Sequence, residues 1–195
     1  MDGSREFIFP PLPVEIVFGH GTIGRLPTKL REQGVLRPLI ITDGGIEKTG
    51  ILQTVVAILE GAGISVAAFT DVPQDSSTTS IKEALTLLNE AHCDGVIGLG
   101  GGSVLDTAKA VAISRTNTGD LVAYAGLNKI KQAPLPVIAI PTTAGTGSEV
   151  SYWSVFTDSA SGLKIGVGGY QVFPRVAIGD PDLTISLPPK LTAST

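Results

Sequence analysis

The sequence predicts an α/β fold: a parallel β-sheet with helices on both faces, and a β-hairpin beside it. Short apolar runs of strand length alternate with segments in which apolar residues recur at helical spacing, as in 49–59. Strands that alternate with helices are joined by crossovers, so they pair in parallel within one sheet. The chain has 195 residues, 43% of them hydrophobic, which is enough for one full core.

Apolar runs are predicted to form the strands of this sheet at residues 14–18, 39–42, 64–69, 94–97, 134–140 and 176–178. Helices are predicted between them, after residue 24, from residue 49, around 81–88 and over 104–114. Two more apolar runs flank the turn-forming segment 158–162, so 153–157 and 164–167 are predicted to form the hairpin. Residues 117–131 are predicted to be a polar connection.

A glycine-rich turn follows the strand at 94–97 and reads Gly98-Leu99-Gly100-Gly101-Gly102-Ser103. Glycines at a strand-to-helix turn leave backbone N–H groups uncovered, and the helix N-terminus adds partial positive charge. The turn is therefore a candidate phosphate site. Alternatively, Ser103 caps the helix and Asp106, three residues on, completes a variant of the capping box without any ligand. Both interpretations can hold at once.

A second glycine pattern, Gly19-His20-Gly21-Thr22-Ile23-Gly24, has the spacing G-x-G-x-x-G. Asp43 ends the next strand about 20 residues later, as in the dinucleotide fingerprint, where the acid binds the adenine ribose. Pro27 displaces the following helix from the glycines, so we favour the 100–102 loop and interpret 19–21 as a turn. Asp43 suits the ribose role with either loop, or it is a solvated turn residue.

The segment Thr142–Ser148, here called the hydroxyl loop, holds two glycines and four hydroxyl side chains after the strand at 134–140. Such a loop can donate hydrogen bonds to ribose and phosphate oxygens, or it can satisfy its own backbone as a Ser/Thr-rich turn. Its place after a neighbouring strand of the same sheet favours the nucleotide. On the helix at 104–114, Asp106 and Lys109 lie one turn apart and can form an ion pair.

Composition excludes several other functions. The net charge of −4 without a basic cluster argues against nucleic-acid binding, and no apolar run is long enough to cross a membrane. The first residues lack the pattern of a signal peptide, so a cytoplasmic protein is expected. The single Cys93 is expected to be a small buried hydrophobe, and His20 and His92 fit no metal-ligand pattern.

The chain is expected to contain one domain, residues 1–181, followed by a linker at 182–195. Pro188-Pro189 within that linker precedes residues suited to starting a helix. The linker is therefore expected to lead into another unit that this chain does not contain.

The whole chain resembles the nucleotide-binding half of the iron-containing (group III) alcohol dehydrogenase family, from about Pro13 to Thr195. The residues that carry the resemblance are Gly19-x-Gly21, Ile41-Thr42-Asp43, Gly100-Gly101-Gly102-Ser103-x-x-Asp106-x-Ala108-Lys109, the segment 141–150, Lys164 and Asp180-Pro181. Gln74-Asp75 departs from the asparagine–proline pair usual in the family.

The resemblance implies a Rossmann-like, NAD-binding N-terminal domain. The implied cofactor-binding residues are Asp43, Gly101, Gly102, Ser103, Asp106, Thr142, Thr143, Thr146, Ser151, Val155 and Lys164. Those at 101–103 would hold the pyrophosphate and Asp43 the adenosine ribose, while the threonines would line the adenine and ribose side. Ser151, Val155 and Lys164 would approach the cofactor from the hairpin, and Asp106 would face the nicotinamide ribose. A carboxylate at position 43 repels a 2′-phosphate, which favours NAD over NADP.

The resemblance also implies hydride transfer between NAD and a small alcohol or aldehyde. In the family, a C-terminal helical domain, absent here, holds a divalent metal such as iron or zinc, so this chain alone is expected to bind NAD and to be inactive. Alternatives are a relative acting as maleylacetate reductase, glycerol dehydrogenase or dehydroquinate-forming enzyme, and a noncatalytic nucleotide-binding module. A homo-oligomer is possible, because the face that the missing helices would cover could drive self-association.

Overall fold

The computed structural model describes residues 13–185. Its strands are β1 (Glu15–Phe18), β2 (Pro38–Ile41), β3 (Ala67–Phe69), β4 (Gly95–Gly100), β5 (Gly126–Leu127), β6 (Val137–Pro141), β7 (Trp153–Thr157), β8 (Lys164–Gly168) and β9 (Val176–Gly179). Its α-helices are α1 (Leu26–Glu32), α2 (Gly44–Lys48), α3 (Ile51–Gly61), α4 (Thr78–Glu90) and α5 (Gly102–Thr116). The predicted linker lies outside the described residues from 186 onward.

Strands β1, β2, β3, β4, β6 and β9 form one parallel sheet in the order β1-β9-β6-β4-β2-β3, which confirms the predicted fold class. Every residue of β4 and β6 is buried, and burial on both faces explains their near-continuous apolar sequences. The run at 64–69 forms a shorter strand than predicted. Within residues 13–185, β3 is an edge strand that pairs only with β2, from Leu39↔Ala67 to Ile41↔Phe69.

Helices cover both faces of this sheet, as predicted. Leu39 and Ile41 of β2 join one core with α4 and α5, whereas Ile40 joins the other core with α1 and α3. Successive side chains of a strand point to opposite faces, so one strand supplies both cores. The two helical layers therefore fix the sheet from both sides.

The hairpin is confirmed, because β7 and β8 pair antiparallel from Trp153↔Gly168 to Thr157↔Lys164. β8 also pairs in parallel with β5, which lies inside the segment predicted to be a polar connection. A strand of two residues has no periodic pattern that a sequence could reveal. The resulting three-stranded sheet packs through β7 against α5.

Candidate functional site

The carboxyl ends of β2 and β4 form a topological switch point of the sheet. From β2 the chain moves outward to β3 and then returns past β2 to β4, so the direction of winding reverses between these two neighbours. The helices that follow them, α3 and α5, contribute to opposite cores. Ligands of open α/β sheets bind at such a switch point. The predicted residue Asp43 follows β2, Gly101 follows β4, and the hydroxyl loop follows β6 on the other side of β4.

The N-terminus of α5 carries no side-chain cap from the described residues. The helix begins at Gly102 with Gly101 as N-cap, so the predicted capping box of Ser103 and Asp106 is wrong. Ser103 lies inside the first turn, and its hydroxyl donates to the carbonyl oxygen of Gln74 instead. No side chain of the described residues caps the N–H groups in the first turn of α5. These N–H groups can therefore bind an anion, and the dipole of the 15-residue helix favours its negative charge.

The glycines of this turn have different tasks. A Cβ at Gly98 would lie 3.0 Å from side-chain atoms of Ala108 and Leu105, so this glycine lets α5 pack closely on β4. Gly100 has φ +158° and a Cβ there would meet Val104 at 2.8 Å. A Cβ at Gly102 would lie 2.9 Å from Thr146 Cγ2. The first two glycines therefore serve helix packing, and Gly102 allows the hydroxyl loop to approach the start of α5.

The N–H groups of the competing turn at Gly19–Gly24 are hydrogen-bonded within the protein. The buried carboxylate of Asp180 accepts hydrogen bonds from the N–H groups of Gly21 at 3.2 Å and Ile23 at 3.0 Å. The glycines precede a 3-10 helix, and α1 starts only at Leu26, with Pro27 in its first turn. The interpretation of Gly19–Gly21 as a structural turn is confirmed. The sequence analysis missed Asp180 as the residue that fills the turn.

Asp43 caps α2. Its Oδ1 accepts hydrogen bonds from the N–H groups of Gly45 at 2.8 Å and Ile46 at 3.1 Å. The side chain is half-buried, and Oδ2 accepts no hydrogen bond from residues 13–185. Asp43 is thus the N-cap of α2, with one carboxylate oxygen held by the helix, and its contact with a ribose stays a prediction.

Two hydroxyl groups of the hydroxyl loop are buried without a hydrogen-bond partner among residues 13–185: Thr142 Oγ1 and Thr143 Oγ1. Thr142 is 2% exposed, and its backbone N–H donates to the carbonyl oxygen of Gly100. The Thr143 methyl group lies 3.4 Å from where a Cβ on Gly101 would stand. A buried hydroxyl group without a partner costs about 1–3 kcal/mol. Each of these two groups therefore lacks an acceptor, which residues 13–185 do not supply in this arrangement.

The remaining predicted residues lie around α5. Asp106 accepts hydrogen bonds from the hydroxyl group of Ser148 and the N–H group of Val155. Lys109 donates to the hydroxyl group of Ser151, and its Nζ lies 3.5 Å from Asp106 Oδ1, so the predicted ion pair forms within a larger network. The contacts of Asp106 are internal to the protein, and its role toward a nicotinamide ribose stays a prediction.

Lys164 starts β8 and forms an ion pair of 2.8 Å with Asp75, in the loop that follows β3. Both side chains are more than half exposed. The neighbouring Gln74 accepts the hydrogen bond of Ser103, so this loop joins the hairpin to the start of α5. The unusual Gln74-Asp75 pair therefore adjoins the candidate site.

Other chemistries find no support in the part of the chain that the structure describes. Residues 13–185 contain no group of three or more His, Cys, Asp and Glu side chains arranged to hold a metal ion. Cys93 is buried, and burial raises the pKa of its thiol group. None of the helices within these residues combines the length and the hydropathy of a membrane-spanning segment.

The switch point between β2 and β4, the uncapped start of α5 and the neighbouring hydroxyl loop together define a Rossmann-like α/β domain with the features of a nucleotide site. The particular family follows from comparison with known proteins. The sequence model of the iron-containing alcohol dehydrogenases matches residues 13–181, and the chain belongs to that family. The resemblance of the sequence to this family is thereby confirmed.

Individual relatives agree with this assignment. The chain is 37% identical over 190 residues to an NAD-dependent methanol dehydrogenase of Bacillus methanolicus, covering 97% of this chain and 49% of the relative. A crystal structure of 1,3-propanediol oxidoreductase superposes with a TM-score of 0.93 at 33% identity, over 97% of this chain and 50% of the other. Sulfoacetaldehyde reductase from Bifidobacterium kashiwanohense in complex with NAD+ gives a TM-score of 0.88 at 34% identity, over 97% and 50%. The chain thus spans about half the length of these proteins.

Proposed function

We propose that this chain is the NAD-binding part of an NAD-dependent alcohol dehydrogenase that transfers a hydride between a small alcohol or aldehyde and the cofactor. The carrying observation is the uncapped start of α5 beside the buried, unpartnered hydroxyl group of Thr142. A dinucleotide offers anionic phosphates to the start of α5 and acceptor oxygens to the Thr142 hydroxyl group. Among the relatives, one is named an NAD-dependent dehydrogenase and one structure contains NAD+.

The described residues fit the cofactor. The N–H groups at Gly102 and Ser103 would hold the diphosphate, since no side chain of residues 13–185 caps them. The hydroxyl groups of Thr142 and Thr143 would donate to ribose or phosphate oxygens, and Thr146 lies beside them. A side chain at position 102 would fill the space between α5 and the hydroxyl loop, which explains the glycine there.

In this proposal the residues of the chain bind and orient. Asp43 accepts hydrogen bonds from the adenosine ribose, and its fixed carboxylate disfavours a 2′-phosphate. Ser151, Val155 and Lys164 approach from the hairpin, where Val155 is anchored to α5 through Asp106. The nicotinamide ring supplies the hydride acceptor when the cofactor is bound. Anchoring on several loops holds the ring in one orientation, which lowers the entropy lost at the chemical step.

A divalent metal, iron or zinc, and the alcohol-binding pocket belong in this proposal to the rest of the longer protein. Residues 13–185 offer no cluster of ligands that fits a metal ion, so we assign them no step through it. We therefore expect the 195-residue chain to bind NAD and to oxidise no alcohol by itself.

The test is a titration of the 195-residue chain with NADH, followed by nucleotide fluorescence, using wild type, Gly102→Asp and Gly24→Asp. Gly102→Asp places a carboxylate beside the diphosphate and crowds Thr146, so we expect its Kd to rise by at least about tenfold. Gly24 lies in the competing G-x-G-x-x-G turn, and a Cβ there meets nothing within 4 Å. Gly24→Asp should bind as wild type does.

Thermal unfolding of each variant shows whether it is folded. Folded Gly102→Asp with wild-type affinity would overturn the proposed site. Weakened binding of Gly24→Asp alone would instead place the dinucleotide at the Gly19 turn.

A further inference from the structure

Lys109 is among the largest fully buried side chains of the chain, at 1% exposure, in the middle of α5. Its Nζ donates to Ser148 Oγ at 2.8 Å, Ser151 Oγ at 3.3 Å and the carbonyl oxygen of Trp153 at 2.8 Å. An ammonium group has three protons, enough for these three acceptors, and Asp106 Oδ1 lies further away at 3.5 Å. The segment 148–153 is thereby attached to α5 at three points.

Asp106, one turn earlier on α5, attaches the same segment from the other side. Its Oδ1 accepts from the hydroxyl group of Ser148, and its Oδ2 accepts from the N–H group of Val155 at 3.1 Å. The hydroxyl group of Ser154 donates to the Asp106 carbonyl oxygen at 2.8 Å. Lys109 and Asp106 both form a hydrogen bond with the hydroxyl group of Ser148, and their opposite charges compensate each other. Together these two side chains form one unit.

The segment held by this unit connects two parts of the candidate site. It follows the hydroxyl loop, with Thr142 and Thr143, and it leads into β7, which carries Val155. A shift of residues 148–153 relative to α5 would disturb the adjoining residues of both parts, because the backbone is continuous between them. The position of the cofactor-facing groups therefore depends on the unit.

We propose that Lys109 is a positioning residue for the cofactor: its ammonium group, with Asp106, holds segment 148–153 on α5 and so sets the hydroxyl loop and the hairpin against the start of that helix. This inference rests on the proposed function. The neutral amine has only two protons, so it loses one of these hydrogen bonds to segment 148–153 and leaves Asp106 without a cation.

The charge state of Lys109 changes within an accessible pH range. Burial lowers the pKa of its ammonium group from 10.5 to about 8, while Asp106 and Glu149 oppose the shift. The facing groups are thus Asp106 on α5 and Glu149 on the adjoining 3-10 helix, together with the neutral hydroxyl groups and the carbonyl oxygen named above. Deprotonation should loosen the segment above pH 8.

Stability and affinity should respond in opposite directions. Because the pKa of Lys109 is lower in the folded chain than in the unfolded chain, the unfolded chain binds more protons between about pH 8 and 10.5, and this group stabilises the fold increasingly as pH rises. Cofactor affinity should fall over the same range if Lys109 positions the site. A purely structural lysine would not weaken binding while the fold gains stability.

The experiment measures the NADH Kd and the Tm of the 195-residue chain from pH 6.5 to 9.5, for wild type, Lys109→Met and Lys82→Met. Wild type should lose affinity by about tenfold or more with a midpoint near pH 8, the effect of about one hydrogen bond to a charged group. Lys109→Met should bind about as weakly at pH 7 as wild type does at pH 9.5, with no such step. Lys82 is an exposed lysine on α4, and its variant should follow wild type.

The outcomes are separable. A wild-type Kd that stays constant to pH 9.5, or Lys109→Met that binds like wild type at pH 7, overturns the inference. Wild type that binds no NADH at any pH overturns the proposed function instead. If Lys109→Met does not fold, the pH dependence of the NADH Kd of wild type, compared with that of Lys82→Met, decides whether the inference holds.

Discussion

Replacing Thr142 with valine should stabilise the cofactor-free chain. Thr142 is 2% exposed, and its Oγ1 has no hydrogen-bond partner among residues 13–185. Valine has nearly the same shape and carries no polar atom, so the substitution removes a buried group whose desolvation costs about 1–3 kcal/mol. Taking about 1 kcal/mol at the low end of that range, the Tm should rise by about 2–4 °C for a chain of this size.

The same substitution should weaken cofactor binding. If the hydroxyl group donates to a ribose or phosphate oxygen, its removal costs about one hydrogen bond, or 1–1.5 kcal/mol. The Kd for NADH should therefore increase by about five- to tenfold. A gain in stability together with a loss of affinity is expected only where the partner of the hydroxyl group is the ligand.

Thr42 provides the matched control for Thr142. It follows the neighbouring strand β2, it is fully buried, and its Oγ1 donates to the carbonyl oxygen of Leu99 at 2.7 Å. Thr42→Val leaves that carbonyl group without its donor and should destabilise the fold by about 1–2 kcal/mol. Thermal unfolding and NADH fluorescence titration measure both quantities. Thr142→Val that destabilises as Thr42→Val does, with wild-type affinity, would refute the reasoning.

Two further substitutions test the edges of the site. Asp43→Ser retains an N-cap for α2 but removes the carboxylate, so the affinity for NADPH relative to NADH should rise by about tenfold, measured by parallel titrations; an unchanged ratio would contradict a ribose contact. Asp75→Asn frees Lys164 and removes a negative charge near the start of α5, so the NADH Kd should fall about two- to threefold in low salt and converge with wild type in high salt. Unchanged or weaker binding in low salt would count against a role for this ion pair.

Much of the fold could be predicted because its signals are local. The apolar runs of β4 and β6 reflect burial on both faces, and the alternation of strands with helices leaves a parallel sheet as the expected arrangement. The short strand β5 was missed, since two residues carry no pattern. The predicted capping box of Ser103 is wrong, because the hydroxyl group of Ser103 donates to the carbonyl oxygen of Gln74 in a distant loop.

The loops of the candidate site were predicted from the sequence, but the hydrogen bonds that connect them were not. Asp180 satisfies the amide groups of the Gly19 turn from 159 residues away, and no spacing rule connects the two. Lys109 was predicted to pair with Asp106 on its own helix, yet its main partners lie 39 to 44 residues further along the chain.

The amino-acid sequence by itself determined the order of the elements, the parallel sheet and the glycine turn at the start of α5, because these depend on periodicity and on glycines, which carry no Cβ. Only the tertiary structure decided which amide groups stay open, which hydroxyl groups lack a partner and which charges are buried. The reason is that a hydrogen bond is satisfied by whatever group folding brings within about 3 Å, regardless of separation along the chain. At Gly21 that group is Asp180, and at the start of α5 the described chain provides no capping side chain.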